Sequence, residues 1–246
     1  MNIQILRFDT IDSTNTEAAK QARQGADEGL CVIARQQSAG RGRHGRTWIS
    51  EKDFGLYFSI VLRPEFDARH LPLITLMTGV AVSDTLQELG VKPDIKWVND
   101  ILVNEKKISG ILAETVETPT GLAVVVGIGI NLTPGNFTNE IVETTTSIEN
   151  EAGKKISSDE IAEILTRYLI YFYDLLSQEE GRVGILRDWQ KRSSYFSGKS
   201  VRVTLTDNVI EGITDGLEGN GALRVKTADG SVKIVQAGDV TRLRRN

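Results

Sequence analysis

The feature that most constrains this chain is a polar stretch, residues 36–47, in which Ala39 is the only apolar side chain. A stretch without apolar side chains cannot enter a core, so the sequence predicts a loop between two buried strands, over residues 30–34 and 56–62. The centre of the loop reads Gly40-Arg41-Gly42-Arg43-His44-Gly45-Arg46. Glycine backbone can wrap closely around an anion, and guanidinium groups bind phosphate oxygens in pairs of hydrogen bonds. The loop therefore predicts an anion site, and its lack of apolar anchors predicts that it orders when a ligand binds.

Three other interpretations of the loop are weaker. Its glycines fit the G-x-G-x-x-G pattern of dinucleotide sites, but that pattern needs a strand directly before it and a helix directly after it. Here a polar linker precedes the loop, and Thr47-Trp48-Ile49 follows it. An RNA-binding arginine–glycine tail is terminal and repetitive, whereas this segment is single and internal. In a plain solvated turn, the cationic side chains would repel one another without a compensating partner.

Composition excludes several classes of protein. The 246 residues carry 29 Lys and Arg against 33 Asp and Glu, a formal charge of −4, so a broad face for duplex DNA is not expected. Cys31 is the single cysteine, which excludes an internal disulfide, and with two histidines it cannot build a Cys/His zinc cluster. The apolar runs are too short to cross a membrane, and the N-terminus has no signal-peptide pattern. We expect a cytoplasmic protein that binds neither membrane nor DNA.

The hydrophobic pattern predicts two domains, residues 1–195 and 196–246. Strands and helices share the first domain, whereas beyond Ser197 the chain has short β-rich pieces separated by glycine and Asp/Asn turns, which is typical of a small barrel. In the first domain, strands are predicted over 3–8, 30–34, 56–62, 95–98, 101–103, 108–114 and 122–130, and helices from 14, over 71–89, 157–176 and 185–191. Thr14 is the predicted N-cap of the first helix, with Glu17 as its capping-box partner.

Four further segments place polar groups or glycines where a ligand could approach. Residues 12–15 offer hydroxyls and backbone N–H groups at a helix N-terminus. Asn99 and Asp100 end an apolar strand, and Lys107 precedes another. The two glycines of 127–129 weaken a buried strand unless backbone or ligand must come close. Singly, these features are explained as a cap, a turn, a surface lysine and a flexible strand. Together they predict an anion-binding and amide-binding site on a sheet.

These motifs stand in the order in which they occur in the biotin protein ligases, the biotin–[acetyl-CoA-carboxylase] ligases, and the chain resembles that family over nearly its whole length. The motifs are Gly40-Arg41-Gly42-Arg43-His44-Gly45-Arg46-x-Trp48, Lys96-Trp97-x-Asn99-Asp100, Lys107-x-x-Gly110-Ile111-Leu112 and Gly127-x-Gly129-Ile130-Asn131. The resemblance implies an α+β fold, in which a mixed-sheet catalytic domain of the biotin/lipoate ligase type precedes a small Src-homology-3-like β-barrel. His44 stands where arginine is usual and Val98 where proline is usual. We expect His44 to change the charge of the loop relative to the usual arginine.

The resemblance also implies roles for individual residues. The biotin-binding residues would be Ser13, Thr14, Asn15, Gln37, Arg41, Gly42, Arg43 and Lys107. The nucleotide-binding residues would be Arg41, Arg43, Arg46, Trp48, Asn99, Asp100, Lys107 and Asn131. Of these, Lys107 and Arg43 would be catalytic. An arginine near the end of the second domain would reach the nucleotide, and Arg242 and Arg244 fit that role equally well.

The activity implied by the resemblance uses ATP, with Mg²⁺ on its phosphates, to activate biotin as biotinyl-5'-AMP. The biotinyl group then passes to a lysine of a biotin carboxyl carrier protein or domain. The protein ligands of the metal stay unassigned. Members of the family dimerise through sheet edges, so a homodimer is expected. Because the first predicted strand begins at residue 3, we expect the monofunctional form, without an N-terminal DNA-binding domain.

Two other functions remain open from the sequence. A lipoate or octanoate ligase or transferase shares the fold, although the complete glycine–arginine loop followed by Trp48 argues against it. A non-catalytic RNA-binding module would instead use Arg41, Arg43 and Arg46 together with the basic tail, residues 242–245.

Overall fold

A computed structural model describes residues 1–135, 143–205 and 208–242, which form two β-sheets and the helices packed on them. The strands of the first sheet are β1 Gln4–Ile11, β2 Leu30–Gln37, β3 Gly55–Leu62, β4 Asp94–Lys96, β5 Asp100–Val103, β6 Lys106–Thr118 and β7 Gly121–Asn131. The strands of the second are β8 Ser197–Thr204, β9 Val209–Leu217, β10 Leu223–Lys226, β11 Val232–Val235 and β12 Asp239–Arg242. The helices are α1 Thr14–Arg23, α2 Pro72–Glu88, α3 Ile148–Ala152, α4 Ser158–Ser177 and α5 Glu179–Lys191.

The first sheet is mixed, with strand order β1-β2-β3-β7-β6-β5-β4. Strands β1 and β2 are parallel, and α1 provides the crossover that a parallel pair requires, while the other neighbouring strands are antiparallel. Every residue of β3 is buried, because α1 packs on one face of the sheet and α2, α4 and α5 pack on the other side. The central strands are therefore a rigid base, and the polar loop between β2 and β3 leaves the sheet at one end.

Helix ends follow the predicted local signals in two places and depart from them in a third. Helix α2 ends before Gly90, which has a φ of +89°, and α4 begins at Ser158, where the Ser157 side chain accepts the N–H of Glu160, so the helix end predicted at 89 and the helix start predicted at 157 are confirmed to within one residue. The predicted N-cap Thr14 is wrong, because Ser13 is the N-cap and Thr14 is the first helical residue. The Thr14 hydroxyl bonds to the side chain of Gln37 instead of capping the helix.

The second sheet is antiparallel, with strand order β11-β10-β9-β8-β12. Its buried residues Val201, Val203 and Leu223 belong to the same apolar cluster as the residues of α2, so the two sheets share a core. At their junction the buried Trp97 indole donates its N–H to the carbonyl oxygen of Gly221 at 3.0 Å. A mixed-sheet unit followed by a small β unit confirms the predicted α+β fold class. Among the described residues, no helix is long and apolar enough to cross a membrane.

Cys31 illustrates how completely the centre of the first sheet is closed to solvent. It lies on β2 with no exposed surface, and burial raises the pKa of its thiol to about 12. We expect iodoacetamide at pH 8 to leave Cys31 unmodified in the native protein, because the thiolate is the reactive form and burial both keeps the thiol protonated and closes it to the reagent. Mass spectrometry after unfolding in guanidinium should show full alkylation. Stoichiometric labelling of the native protein would contradict the burial described here.

Candidate active site

A pocket opens where the N-terminus of α1, the loop after β2 and the glycine-bearing segments of β6 and β7 meet. The sequence-predicted residues that line it are Ser13, Thr14, Asn15, Gln37, Arg41, Gly42, Arg43, Arg46, Trp48, Asn99, Asp100 and Lys107. These residues come from segments up to about ninety positions apart, so the fold and not local sequence brings them together. Asp239, on the second sheet, also lines the pocket.

One end of the pocket is a network of hydroxyl and amide groups. The backbone N–H and the hydroxyl of Thr14 both donate to Gln37 Oε1, at 2.8 and 3.1 Å. Ser59 Oγ lies 2.8 Å from Thr14 Oγ1 and 2.6 Å from Asn15 Oδ1, inside the sheet. Because these groups bond to one another, each helps to hold its neighbours in position. This end suits a small neutral ligand with matched donors and acceptors.

Asn15 is held against the sheet by its side chain. Its Nδ2 donates to the carbonyl oxygen of Leu112 at 3.2 Å and to Glu114 Oε2 at 2.9 Å. A Cβ atom on Gly127 would lie 2.1 Å from Asn15 Oδ1, so no other residue type leaves room for this amide. The glycine in a buried strand, which is unfavourable for the strand alone, is explained by this close approach.

The glycine–arginine loop, residues 40–46, is held by its arginines. Arg41 forms a two-pronged ion pair with Glu114, at 3.0 and 2.6 Å, and Arg46 pairs with Asp239 at 2.5 Å. Arg43 donates to Asn99 Oδ1 at 3.1 Å and to the carbonyl oxygen of Gly238 at 3.3 Å. The loop is therefore anchored by polar contacts. The lack of apolar side chains in the sequence does not indicate these contacts.

The other end of the pocket is cationic. Asp100 lies between two ammonium groups, with Lys107 Nζ at 2.6 Å and Lys96 Nζ at 2.9 Å. Burial acts to raise the pKa of Asp100, but the charges of Lys107 and then Lys96 outweigh it and lower that pKa. Burial lowers the pKa of Arg43, although Asp239 and Asp100 oppose this effect, and the guanidinium stays charged at neutral pH. Among the residues that line the pocket, the cations Arg41, Arg43, Arg46 and Lys107 outnumber the carboxylates Asp100 and Asp239.

Trp48 lies across the sheet between these two ends. A Cβ atom on Gly129 would come within 2.4 Å of its ring, and one on Gly110 would lie 3.0 Å from both the ring and the Lys107 side chain. The Lys107 ammonium is 5.3 Å from the centre of the Trp48 ring, within cation–π range. The indole N–H is buried and has no partner among the described residues. Two glycines therefore create the space that the ring and the lysine fill.

Some predicted residues lie elsewhere, and others were missed. Asn131 is outside the pocket lining, where its Nδ2 donates to the carbonyl oxygen of Thr146 at 3.0 Å. Arg242 pairs with Glu105 at 3.2 Å, and Arg244 lies outside the described residues. Asp239 is not predicted from the sequence, because a carboxylate at the start of a short strand carries no local sign that it pairs with a distant arginine.

The positions that depart from the family pattern are also placed. His44 is exposed on the loop, in the left-handed region with a φ of 54°, and the Trp97–Val98 peptide bond is cis. No group of three or more His, Cys, Asp or Glu side chains suited to a metal occurs in the described part of the chain.

The mixed sheet, the arginine loop and the pocket define the class of ligases built on this fold. The chain belongs to the biotin/lipoate A/B protein ligase family, whose model matches residues 7–131. Within that family it is a biotin ligase, because the biotin protein ligase C terminal domain model matches residues 196–242 and its relatives carry that activity in their names. The resemblance predicted from the motifs is confirmed, and the biotin-ligase interpretation is favoured over the lipoate and RNA-binding alternatives.

Relatives and solved structures agree over nearly the full chain. The bifunctional ligase/repressor BirA of Bacillus subtilis is 34% identical, covering 96% of this chain and 74% of that protein. The biotin–[acetyl-CoA-carboxylase] ligase of Paracoccus denitrificans is 31% identical, covering 93% of this chain and 96% of that one. The biotin protein ligase from Aquifex aeolicus in complex with biotin and ATP is 27% identical, with a TM-score of 0.85 and coverage of 98% and 99% of the two chains.

The space above Gly129 can be tested directly. We expect Gly129→Ala to push the Trp48 indole out towards solvent, because the added methyl group would overlap the ring, at a cost of about 1–3 kcal/mol in stability. Tryptophan fluorescence should shift to longer wavelength. Gly219→Ala is the matched control, since its Cβ atom would meet nothing within 4 Å. An unchanged spectrum in a folded Gly129→Ala protein would show that the ring does not depend on this glycine.

Proposed function

We propose that this chain is the ligase that activates biotin with ATP as biotinyl-5'-AMP and passes the biotinyl group to a lysine of a biotin carboxyl carrier protein. The observation that carries the proposal is a single pocket with a fixed hydroxyl–amide end and a cationic end, joined by Trp48. Biotin has a neutral ureido ring at one end and a carboxylate at the other, so it matches both ends in order. The solved relative named above binds biotin and ATP in its complex.

The hydroxyl–amide end would recognise the ureido ring. Thr14 and Gln37 present a hydroxyl and an amide, and Gln37 Nε2 has one N–H directed to Ser50 and a second available for a ligand. Ser13 lines the same end, and its side chain makes no helix-cap bond. Asn15 shapes this end through its fixed amide. The biotin tail would then run past Trp48 towards Lys107.

The cationic end would bring together two anions that repel each other. A biotin carboxylate oxygen must attack the α-phosphorus of ATP, and the leaving group is diphosphate. Lys107 and Arg43 lie on this side of the pocket, where they would neutralise both anions and stabilise the charge that develops on the phosphate oxygens. Arg41, Gly42, Arg46 and Asn99 would enclose the nucleotide, and Asn131, the last residue of β7, would support this region through its bond to Thr146.

Mg²⁺ fits this pocket as a partner of ATP and not as a resident ion, since it binds through one or two carboxylates plus substrate phosphates. Asp100 is the carboxylate of the first sheet that lines the pocket, and it would hold the ion. When bound, the ion offsets phosphate charge. In the transfer step, the acceptor lysine attacks the carbonyl carbon of the mixed anhydride and AMP leaves. This step needs no nucleophile from the enzyme, and Cys31 is buried away from it.

The setting of the reaction is part of the proposal. The acceptor would be the carrier protein or domain of a biotin-dependent carboxylase, and the enzyme would act in the cytoplasm as a homodimer. Residues 1–195 would form the catalytic domain, and residues 196–246 the C-terminal one.

Diphosphate release tests the function as a whole. We expect ATP-dependent diphosphate release with biotin and little with lipoate, and streptavidin should detect a carrier domain only when biotin and ATP are both present. The control is the same protein after heat denaturation. Comparable release with lipoate would support the lipoate alternative, and absence of release with either acid would overturn the proposal.

Lys107 should matter more for chemistry than for binding. In Lys107→Ala the cation between the reacting anions is lost, so we expect adenylate formation to fall at least about 100-fold, while biotin affinity falls less than about tenfold. Lys106→Ala is the matched control, because this exposed neighbour on the same strand does not line the pocket. Single-turnover formation of biotinyl-5'-AMP and calorimetry with biotin separate the two effects. Equal adenylation rates in Lys107→Ala and the parent would remove Lys107 from the mechanism.

A further inference from the structure

Ser50 links the hydroxyl–amide end of the pocket to the base of the glycine–arginine loop. It is buried, with 5% of its surface exposed, and it lies just beyond the loop. Gln37 Nε2 donates to Ser50 Oγ at 2.8 Å, and Ser50 Oγ donates to the carbonyl oxygen of Trp48 at 3.0 Å. The backbone N–H of Gln37 also bonds to the Ser50 carbonyl oxygen at 3.1 Å. Ser50 is therefore bound on one side to a pocket residue and on the other to the loop.

The direction of these hydrogen bonds is determined by the donors at their start. The Thr14 backbone N–H can only donate, so the oxygen of the Gln37 amide must face it. The amide nitrogen then faces Ser50, whose oxygen accepts that bond. The hydroxyl proton of Ser50 is left for the Trp48 carbonyl. The chain from Thr14 to Trp48 thus has one consistent arrangement of protons, and moving the Gln37 amide changes the bond made by Ser50.

The loop closes on itself at the same point. The Trp48 backbone N–H donates to the Gly40 carbonyl oxygen at 3.0 Å. A Cβ atom on Gly40 would lie 2.3 Å from the Trp48 carbonyl oxygen, 2.6 Å from Ser50 Oγ and 3.1 Å from Gln37 Nε2. The two ends of the loop therefore meet around the Ser50 hydroxyl, with no space left for another side chain.

We infer that Ser50 is a positioning residue that couples biotin occupancy to closure of the glycine–arginine loop, an inference that rests on the proposed function. Biotin bound against Thr14 and Gln37 would accept the second N–H of the Gln37 amide and so stabilise the orientation in which this amide already donates to Ser50. Ser50 would then hold the Trp48 carbonyl, and with it the backbone that carries the indole and Arg46. Occupancy of the ureido end would thus order the segment that covers the reacting end before ATP binds.

Limited trypsin digestion measures this coupling, because Arg41, Arg43 and Arg46 are cleavage sites. In the parent chain, saturating biotin without ATP should slow cleavage at these sites about tenfold or more. In Ser50→Ala, biotin should still bind, as measured by calorimetry, but at saturation the slowing should be less than about twofold. Both chains are compared at full biotin occupancy, so a loss of coupling is distinguished from a loss of affinity. If Ser50 had only a structural role, Ser50→Ala would change biotin affinity but not the protection of the loop at saturation.

Two more variants complete the experiment. Ser50→Cys keeps a near-equal volume with a weaker donor, so protection should be intermediate, and it replaces Ser50→Ala if that chain does not fold. Ser83→Ala removes a buried hydroxyl on α2 that has no partner among the described residues and does not line the pocket, so this variant should match the parent.

The outcomes are distinct. Full protection of biotin-saturated Ser50→Ala, or of Ser50→Cys in its place, would overturn the inference and leave the proposed function standing. Biotin binding to the parent without protection of the loop would do the same. Absence of any biotin binding to the parent would overturn the proposed function, and the inference with it.

Discussion

The pocket exists because three positions on two neighbouring strands carry no side chain. Gly110, Gly127 and Gly129 lie on β6 and β7, and at each a Cβ atom would meet Asn15, Trp48 or Lys107 at 3.0 Å or less. Glycine weakens a strand, so this arrangement depends on the buried, two-sided packing of the rest of the sheet. The buried central strands keep the three glycine positions in place. The Asn15 amide, the Trp48 indole and the Lys107 ammonium group pack against them. The pocket therefore depends on the absence of side chains at these three positions of the sheet.

Charge in the pocket is arranged in pairs that a ligand must exchange. Arg41 pairs with Glu114, Arg46 with Asp239, and Lys107 with Asp100. The Arg41–Glu114 and Arg46–Asp239 pairs are exposed enough that they contribute little to stability, because water screens them and the side chains lose freedom. An anionic ligand can therefore replace the carboxylate of such a pair at a small cost in free energy. It then pairs with a cation that is already in position. This arrangement of ion pairs suits a site that binds and releases anionic ligands in each reaction cycle.

Local patterns predicted most of the elements and several of the segments that line the pocket, whereas Gln37 and Trp48 are assigned from the family resemblance. The end of α2 near residue 89, the start of α4 near residue 157 and the polar loop depend on neighbours in sequence, and the structure has all three. The partners of the arginines could not be predicted in the same way, because Glu114 and Asp239 meet the loop only through the packing of distant strands. The cap at Thr14 failed for a related reason, since Gln37 competes for its hydroxyl. Asn131 is assigned from its position in the order of the motifs, and that order does not indicate where the side chain lies.

The contacts of Arg43 and Arg46 with Gly238 and Asp239 have a mechanical consequence. The loop begins and ends on the first sheet, yet Arg43 and Arg46 bond to the second, so the loop bridges the two sheets. Asp239 of the second sheet also lines the pocket. A substitution in the small β unit that moves Gly238 or Asp239 would therefore change the position of the two arginines, even though it lies far from the pocket in sequence.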